Sequence, residues 1–191
     1  MKFAVIGNPI DKSLSPQLHK ILYEKLNILN CSFEKIHLEN DQLDDFFNND
    51  FGLFNGINVT IPFKSSVVKF LDAIDDEAKI LDNVNCISKS NNMICGFNTD
   101  KYGFDMLLNE NGIVIEGSSC VVLGAGSSAK TVVKCLIDKG IGRIIIKNRS
   151  IDNARNIQNF AHSLGFNNID LFNSKPVRYD TVTYTHLLAN E

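Results

Sequence analysis

The stretch with the densest chemistry is Asn58-Val59-Thr60-Ile61-Pro62-Phe63-Lys64. Apolar Ile57, Val59 and Ile61 alternate with polar Asn58 and Thr60, the two-residue period of a strand. Pro62 has no N–H to give a ladder and ends it. Lys64 then falls just past a strand's carboxyl end, where α/β sheets usually present their chemistry. Asn58 and Thr60 share one face of the strand, so together with Lys64 they can hold one small polar ligand. Taken alone, Lys64 reads as a solvated lysine opening a helix over Ser65–Leu71, because exposed lysine is the commonest kind. The other clusters outweigh that reading.

One of them is Gly96-Phe97-Asn98-Thr99-Asp100-Lys101-Tyr102-Gly103. Asp100 falls in the first turn of a helix, where an acid matches the dipole. The sharper reading pairs it with Lys64, the carboxylate holding the ammonium as donor to an oxygen that gains charge in hydride transfer. Ser13 and Ser15, two apart on a turn, suit a carboxylate or a polyol, and helix capping accounts for Ser15 equally well. Asn85 reads either as a satisfied hairpin asparagine or as a ligand donor. His19, after a Ser-Pro helix start, reads as structural. His37, His162 and His186 lack metal-like spacing, so no metal site is expected.

The loop Gly124-Ala125-Gly126-Ser127-Ser128-Ala129 fits the dinucleotide fingerprint GxGxx(G/A). Its glycines allow a tight turn and let a pyrophosphate approach a helix N-terminus. An apolar strand precedes it and a helix follows, so nucleotide binding is favoured over a structural glycine turn. At the end of the next strand stands Lys147-Asn148-Arg149-Ser150, where an NAD site wants an acid. Arg149 can lie on an adenine face and meet a 2′-phosphate, with Asn148 and Ser150 as hydrogen-bond partners. NADP is therefore favoured over NAD. The bland alternative is that Lys147 and Arg149 are solvated surface charges.

The elements that must position these residues alternate. Lys2–Gly7 reads as a strand, and Ser15-Pro16 as cap and first residue of a helix with Leu18, Ile21, Leu22 and Leu26 on one face. Cys31–Leu38 reads as a strand, and Asn40 as the cap of a short helix carrying Leu43, Phe46 and Phe47. Asp75–Leu81 is helical, and a hairpin turns at Asn91-Asn92. After a helix over Thr99–Asn109 that stops at Asn111-Gly112 come strand 119–123, helix Ala129–Asp138, strand Arg143–Ile146 and helix Asp152–Ser163, a βαβ unit and more. A weak strand-like run lies near Thr181–Thr185. The expected domains are 1–98 and 99–191.

The chain has 191 residues, room for one large domain or two small ones, and 44% are apolar. A net charge of −3 gives no basic surface, which argues against a nucleic-acid partner. No apolar run reaches membrane-span length, so no membrane is expected, and the first residues read as a strand rather than a signal peptide. Five scattered cysteines, without a CxxC, read as reduced core thiols of a cytoplasmic protein.

The motifs resemble those of shikimate dehydrogenases. Gly7-Asn8-Pro9-Ile10 with Ser13-Leu14-Ser15-Pro16 and His19 is similar to the family's opening motif. Asn58 to Lys64, Val84-Asn85, Asn98-Thr99-Asp100 with Gly103, the Gly124-Ala125-Gly126 loop and Asn148-Arg149-Ser150 follow in the family's order and spacing, to roughly residue 165. The resemblance implies an α/β fold: an N-terminal substrate-binding domain, then a Rossmann-type NADP-binding domain. It implies reversible reduction of 3-dehydroshikimate to shikimate with NADPH, on the way to chorismate and the aromatic amino acids. It also implies that Ser13 and Ser15 hold the substrate carboxylate. Asn58, Thr60, Asn85 and Asp100 would hold ring hydroxyls, with Lys64 and Asp100 the catalytic pair. The cofactor contacts would be Gly124, Ala125, Gly126, Ser127, Ser128, Asn148, Arg149 and Ser150.

Departures are few up to that point: Lys20 after His19, Cys86 after Asn85, Ser127 in the fingerprint, and Asn153 where many NADP-using members carry a basic residue. The tail differs more. Tyr179-Asp180-Thr181-Val182 could begin the family's next strand, and Thr183-Tyr184-Thr185-His186 is not expected to continue it. His186-Leu187-Leu188-Ala189 is what a Thr-Pro-Ile-Gly run would encode one base out of frame, so the tail reads as frameshifted. A half-built nucleotide sheet leaves apolar surface and an unpaired edge. Weak cofactor binding, low stability or self-association into a homodimer is the expectation. Rival readings are a non-catalytic remnant that binds shikimate-like acids, and a quinate/shikimate dehydrogenase.

Overall fold

The computed structural model describes residues 1–172 and, as backbone, 181–184. The chain divides into two compact units, Met1–Thr99 and Asp100–Glu191. The first is built on strands β1 (Lys2–Gly7), β2 (Ser32–His37), β3 (Gly56–Val59), β4 (Ala73–Ile74), β5 (Cys86–Ser90) and β6 (Met93–Phe97). They lie side by side in the order β2-β1-β3-β5-β6-β4. β1 is parallel to β2 and β3, whereas β5 is antiparallel to both β3 and β6. One face of this sheet carries Ala4, Ile6, Ile57, Val59 and Ile87, all buried against Leu43, Phe46, Phe51 and Phe54. The first three of these come from a run of helical turns after β2, over Asn40–Gln42, α2 (Leu43–Asp45), Phe46–Asp50 and Phe51–Leu53, and Phe54 follows it directly. Glu39, rather than Asn40, holds the cap position of that run, its N–H donating to Gln42 Oε1 at 2.8 Å.

Helix α1 (Ser15–Lys25) departs from its sequence pattern in two ways. Leu14 occupies the cap position and Ser15 is already helical, so Ser15 caps nothing. Leu18, Ile21, Leu22 and Leu26, which the helical spacing assigns to a core face, are exposed, and α1 buries none of its residues. The helix is seated by its other side, His19 stacking on Phe33 of β2 with ring centroids 3.9 Å apart. Two further connections also settle. Residues 66–70 form a tight 3-10 turn, Ser66–Phe70, instead of an α-helix, the form a short connector takes between Pro62 and β4. At the hairpin, Asn91 and Asn92 have φ of +50° and +63°, the left-handed pair that a two-residue turn between twisted strands requires. Asp75 caps α3 (Asp76–Leu81), accepting the Ala78 N–H at 2.7 Å.

The second unit opens with α4 (Asp100–Glu110), which stops at Gly112 with φ +63°. It continues with β7 (Ser119–Leu123), α5 (Ser127–Asp138), β8 (Arg143–Lys147), α6 (Ile151–Ser163), β9 (Ile169–Leu171) and β10 (Thr181–Tyr184). The four strands are parallel in the order β9-β8-β7-β10, the 3-2-1-4 order of a Rossmann-type sheet. Val121, Val122, Ile144, Ile145 and Ile146 are buried, as expected of strands covered on both faces. α5 buries Ala129, Val132, Val133 and Leu136, and α6 buries Ala154, Ile157 and Ala161. Lys101 and Lys139 tie α4 to α5 through Asp138 and Asp105, each at 2.6 Å.

The expectation that the strand fails at Thr183 is corrected. β10 runs through Tyr184, in register with Leu123 of β7, because parallel backbone pairing accepts Thr and Tyr as readily as aliphatic residues. The run His186–Ala189, and with it the frameshift reading, lies outside the described residues. Among those residues no helix is long and apolar enough to cross a membrane. All five cysteines are free; Cys120 and Cys135 are buried, while Cys31, Cys86 and Cys95 are only half-buried.

Candidate active site

Strand directions in the first unit bring the polar segments to one end of its sheet. β1 and β3 are parallel, so Gly7 and Val59 finish together, with Ile6 paired to Val59. β5 is antiparallel, so Asn85, which precedes it, starts at that same end. Backbone hydrogen bonds then knit the loops. Asn8 N–H donates to Ile61 O at 2.9 Å, Thr60 N–H to Ile6 O at 3.0 Å, Val59 N–H to Asn85 O at 2.9 Å, and Val84 N–H to Lys64 O at 2.9 Å. Within this frame Ile57 and Val59 point into the core and Asn58 to the opposite face. There Asn58 lines a cavity of about 350 Å³ with Phe3, His19, Phe33 and Cys86. Gly7 is required beside Thr60: a Cβ at Gly7 would stand 2.4 Å from Thr60 Cγ2.

Lys64 is only 9% exposed, which removes the reading of it as a solvated lysine. Ser13 and Ser15 are half-buried, their hydroxyl oxygens 3.2 Å apart, and Ser15 N–H donates to Ser13 Oγ at 3.3 Å. They form a paired hydroxyl site at the start of α1 rather than a helix cap. Asn85 has partners of its own. Its Oδ1 accepts the Thr99 N–H at 2.9 Å and its Nδ2 donates to Thr99 Oγ1 at 2.9 Å. Beside it, buried Asn98 donates from Nδ2 to Asn83 O at 2.9 Å. Both bonds go to Thr99, so Asn85 fixes the residue before Asp100, and its amide NH2 has a second hydrogen that a ligand can take. Asp100 itself belongs to the second unit, at the first position of α4. Burial pushes the Cys86 thiol up, so this neighbour of Asn58 stays neutral and is no nucleophile. Burial likewise holds His19 below its ordinary value, in keeping with a neutral ring stacked on Phe33.

In the second unit, β7 ends at Leu123 opposite Lys147 of β8, and Gly124 N–H donates to Lys147 O at 2.9 Å. The glycine loop and the Lys147–Ser150 turn thus share one end of the sheet. Gly124 has φ +113°, a conformation favouring glycine. Gly126 holds the cap position of α5, no side chain caps that helix, and a Cβ on Gly126 would meet nothing within 4 Å. Open space before an uncapped helix N-terminus fits a pyrophosphate. Arg149 is exposed at the turn's tip. Ser150 caps α6, its Oγ accepting the Asn153 N–H at 3.3 Å, yet a hydroxyl keeps its own proton to donate. Asn148 Nδ2 donates to Ser150 O at 2.9 Å, and Lys147 turns away onto the Phe172 ring, 4.6 Å from its centroid.

Residues 5–87 match the family model for the shikimate dehydrogenase substrate binding domain, and residues 107–179 that for shikimate / quinate 5-dehydrogenase. The shikimate dehydrogenase (NADP(+)) of Ignicoccus hospitalis is 34% identical over 195 residues, covering 96% of this chain and 72% of that protein. The chain belongs to the shikimate dehydrogenase family. The enzyme of that name from Clostridium beijerinckii is 39% identical over 150 residues, 78% of this chain and 55% of that protein. A crystal structure of shikimate 5-dehydrogenase from Thermus thermophilus, in complex with NADP(H) and shikimate, gives a TM-score of 0.79 at 30% identity. That match covers 91% of this chain and 63% of the other. The chain spans little more than half the length of the curated relatives it matches, 54% to 60% for five of them.

Set against the motifs that resemble this shikimate dehydrogenase family, the first unit gathers Asn58, Thr60, Lys64 and Asn85 at one sheet end. The second gathers Gly124–Ser128 with Asn148–Ser150. Sequence reasoning passed over Gly7, Asn83, Asn98 and Thr99 as positioning residues. A glycine ending a strand and three Asn/Thr residues flanking a hairpin were the available signals.

Proposed function

We propose that this chain catalyses the reversible, NADP-linked oxidation of shikimate to 3-dehydroshikimate. The observation that carries the reading is the burial of Lys64 just beyond the carboxyl end of β3, in the same stretch of chain as Asn58 and Thr60. A lysine kept from water there has a use that an exposed one lacks. The first unit is the substrate domain: Ser13 and Ser15 take the carboxylate, and Asn58, Thr60 and Asn85 take ring hydroxyls. The second is the nucleotide domain, with Gly124, Ala125, Gly126, Ser127 and Ser128 under the pyrophosphate and Asn148, Arg149 and Ser150 at the 2′-phosphate. NADP, when bound, supplies the hydride acceptor. Lys64 and Asp100 form the catalytic pair. In the oxidation direction Lys64 takes the proton of the reacting hydroxyl, and in reduction its ammonium returns that proton to the oxygen that gains charge. Asp100 orients the ammonium and holds a neighbouring hydroxyl.

The partners are small molecules, and the five free cysteines suit a reducing, cytoplasmic compartment. A second reading, binding of shikimate-like acids without turnover, rests on the first unit alone, which gathers Asn58, Thr60, Lys64 and Asn85 at one sheet end. The deciding test is NADPH formation from shikimate and NADP by the 191-residue chain, with Lys64→Ala as control. Turnover lost in the control supports the enzyme. No turnover, with shikimate still raising the melting temperature, leaves the binding protein.

A further inference from the structure

The hydroxyls of Ser13 and Ser15 stand at the end of the loop that leaves β1, so their placement depends on what holds that loop. Its start is fixed. Asn8 N–H donates to Ile61 O at 2.9 Å, Asn8 Nδ2 donates to Glu39 Oε2 at 2.9 Å, and the Ile10 side chain is buried. Glu39 is a firm acceptor, because the hydrogen bond to His37 at 2.9 Å holds its carboxyl below the ordinary carboxylate range. The chain then makes a turn over residues 10–13, closed by Ser13 N–H donating to Ile10 O at 3.0 Å. Lys12, the third residue of that turn, has a negative φ, so the central peptide stands as in a type I turn. In the type II form the same peptide is flipped over.

The oxygen of that central peptide is Asp11 O, and Lys35 Nζ donates to it at 2.6 Å. Lys35 comes from β2, in register with Val5 of β1, and is half-buried. Its ammonium can reach Asp11 O in one orientation of the peptide and not in the other, so this charge-assisted bond selects the turn. The turn in turn places Ser13, whose Oγ takes the Ser15 N–H at 3.3 Å and stands 3.2 Å from Ser15 Oγ. We propose that Lys35 is a positioning residue for the substrate carboxylate, holding Asp11 O so that the two serine hydroxyls face one acidic group together. The ligand in this proposal rests on the reading that Ser13 and Ser15 take the carboxylate of shikimate; the hold of Lys35 on the hydroxyl pair does not.

Amide hydrogen exchange and shikimate titration of the 191-residue chain, run in parallel, are the test. Lys35→Met keeps an unbranched stem and removes the donor. Exchange at Ser13 N–H should speed up by about fivefold or more, since local opening of the turn becomes easier. Val59 N–H and Ile144 N–H, bonded to Asn85 O and Asn168 O, should keep their rates. Shikimate should bind about five- to tenfold more weakly, and its KM should rise to match with kcat kept, because the carboxylate is held equally in ground and transition states. Lys35→Arg, whose guanidinium can donate to the same carbonyl, should restore both readouts. Lys12→Met removes the same charge from an exposed position in the turn and should change neither. If Lys35→Met fails to fold, Lys35→Gln, which stops short of Asp11 O, carries the same comparison. Unchanged exchange at Ser13 overturns the proposal whatever the ligand does. So does faster exchange with shikimate affinity intact, or a loss that Lys12→Met reproduces. A wild-type chain that binds no shikimate overturns the proposed function and the ligand named here with it, while the exchange comparison still decides whether Lys35 holds the hydroxyl pair.

Discussion

Asn85 and Thr99 hold each other by two contacts, the Thr99 N–H donating to Asn85 Oδ1 and Asn85 Nδ2 donating to Thr99 Oγ1, each at 2.9 Å. The pair pins the chain immediately before Asp100 to the base of the β5–β6 hairpin. Asn85→Ala is expected to cost about 1 kcal/mol of stability, the net value of an ordinary hydrogen bond. If the chain turns over shikimate, its kcat should fall by about tenfold or more, since misplacing a reacting group costs more than the bond itself. Denaturant unfolding and steady-state kinetics on the same variant separate the two. A stability loss with unchanged kcat would reduce Asn85 to a hairpin fastener.

Gly126 offers a cleaner probe of the nucleotide site. Its backbone is extended, with φ −83° and ψ −171°, so alanine is conformationally allowed, and an added Cβ touches nothing in the protein. Gly126→Ala should therefore leave the melting temperature in place. The same methyl would stand before the α5 N-terminus and obstruct a pyrophosphate, weakening NADP by about tenfold or more. Calorimetric titration with NADP measures it. Equal affinity in the two proteins would remove the glycine loop from the cofactor site.

What could be read in the sequence, and what could not, divides along physical lines. Strands 2–7 and 119–123 were legible because an apolar run closing on glycine leaves little choice of element. The Asn91-Asn92 hairpin was legible because two left-handed residues suit one turn type. α1 was legible as a helix but not in orientation: periodicity gives the apolar side, not whether anything covers it. Burial of Lys64 was equally hidden, since it depends on loops from β1, β3 and the hairpin closing at one sheet end. The strand at 181–184 was underrated because side-chain type says little about parallel backbone pairing. The second role of Asn85 depends on where the fold brings Thr99, fourteen residues away.

Arg149 bears on cofactor choice. It is exposed at the turn after β8, and the neighbouring Lys147 is engaged with Phe172. On the proposed reading Arg149 contributes the turn's charge to the 2′-phosphate. Arg149→Ala should weaken NADP by roughly ten- to a hundredfold, the scale of a charge-assisted hydrogen bond, and leave NAD binding unchanged. Parallel titrations with both dinucleotides decide it. Equal losses for both would assign Arg149 to the adenine or the fold rather than to the phosphate.

The acid stability of the second unit should depend on Asp138. Burial works against its charge, but hydrogen bonds from Lys101 and Lys134, with the charges of both, outweigh that and hold its carboxyl below the ordinary 3.8. Hydrogen bonding from Lys139 likewise lowers Asp105. A carboxyl depressed in the folded state stabilises fully above its unfolded value, and the contribution fades as pH falls through the folded value. Stability should thus hold at pH 5 to 7 and decline below about pH 4. Because these groups are partly exposed, Asp138→Asn should cost only about 0.5–1 kcal/mol at neutral pH in low salt, and less in high salt. The difference between variant and wild type should close on acidification, as protonation removes from the wild type the charge that the variant already lacks. Urea unfolding at pH 7, 5, 4 and 3 follows this directly. A gap that stays constant from pH 7 to 3 would show that Asp138 acts by packing and not by its charge.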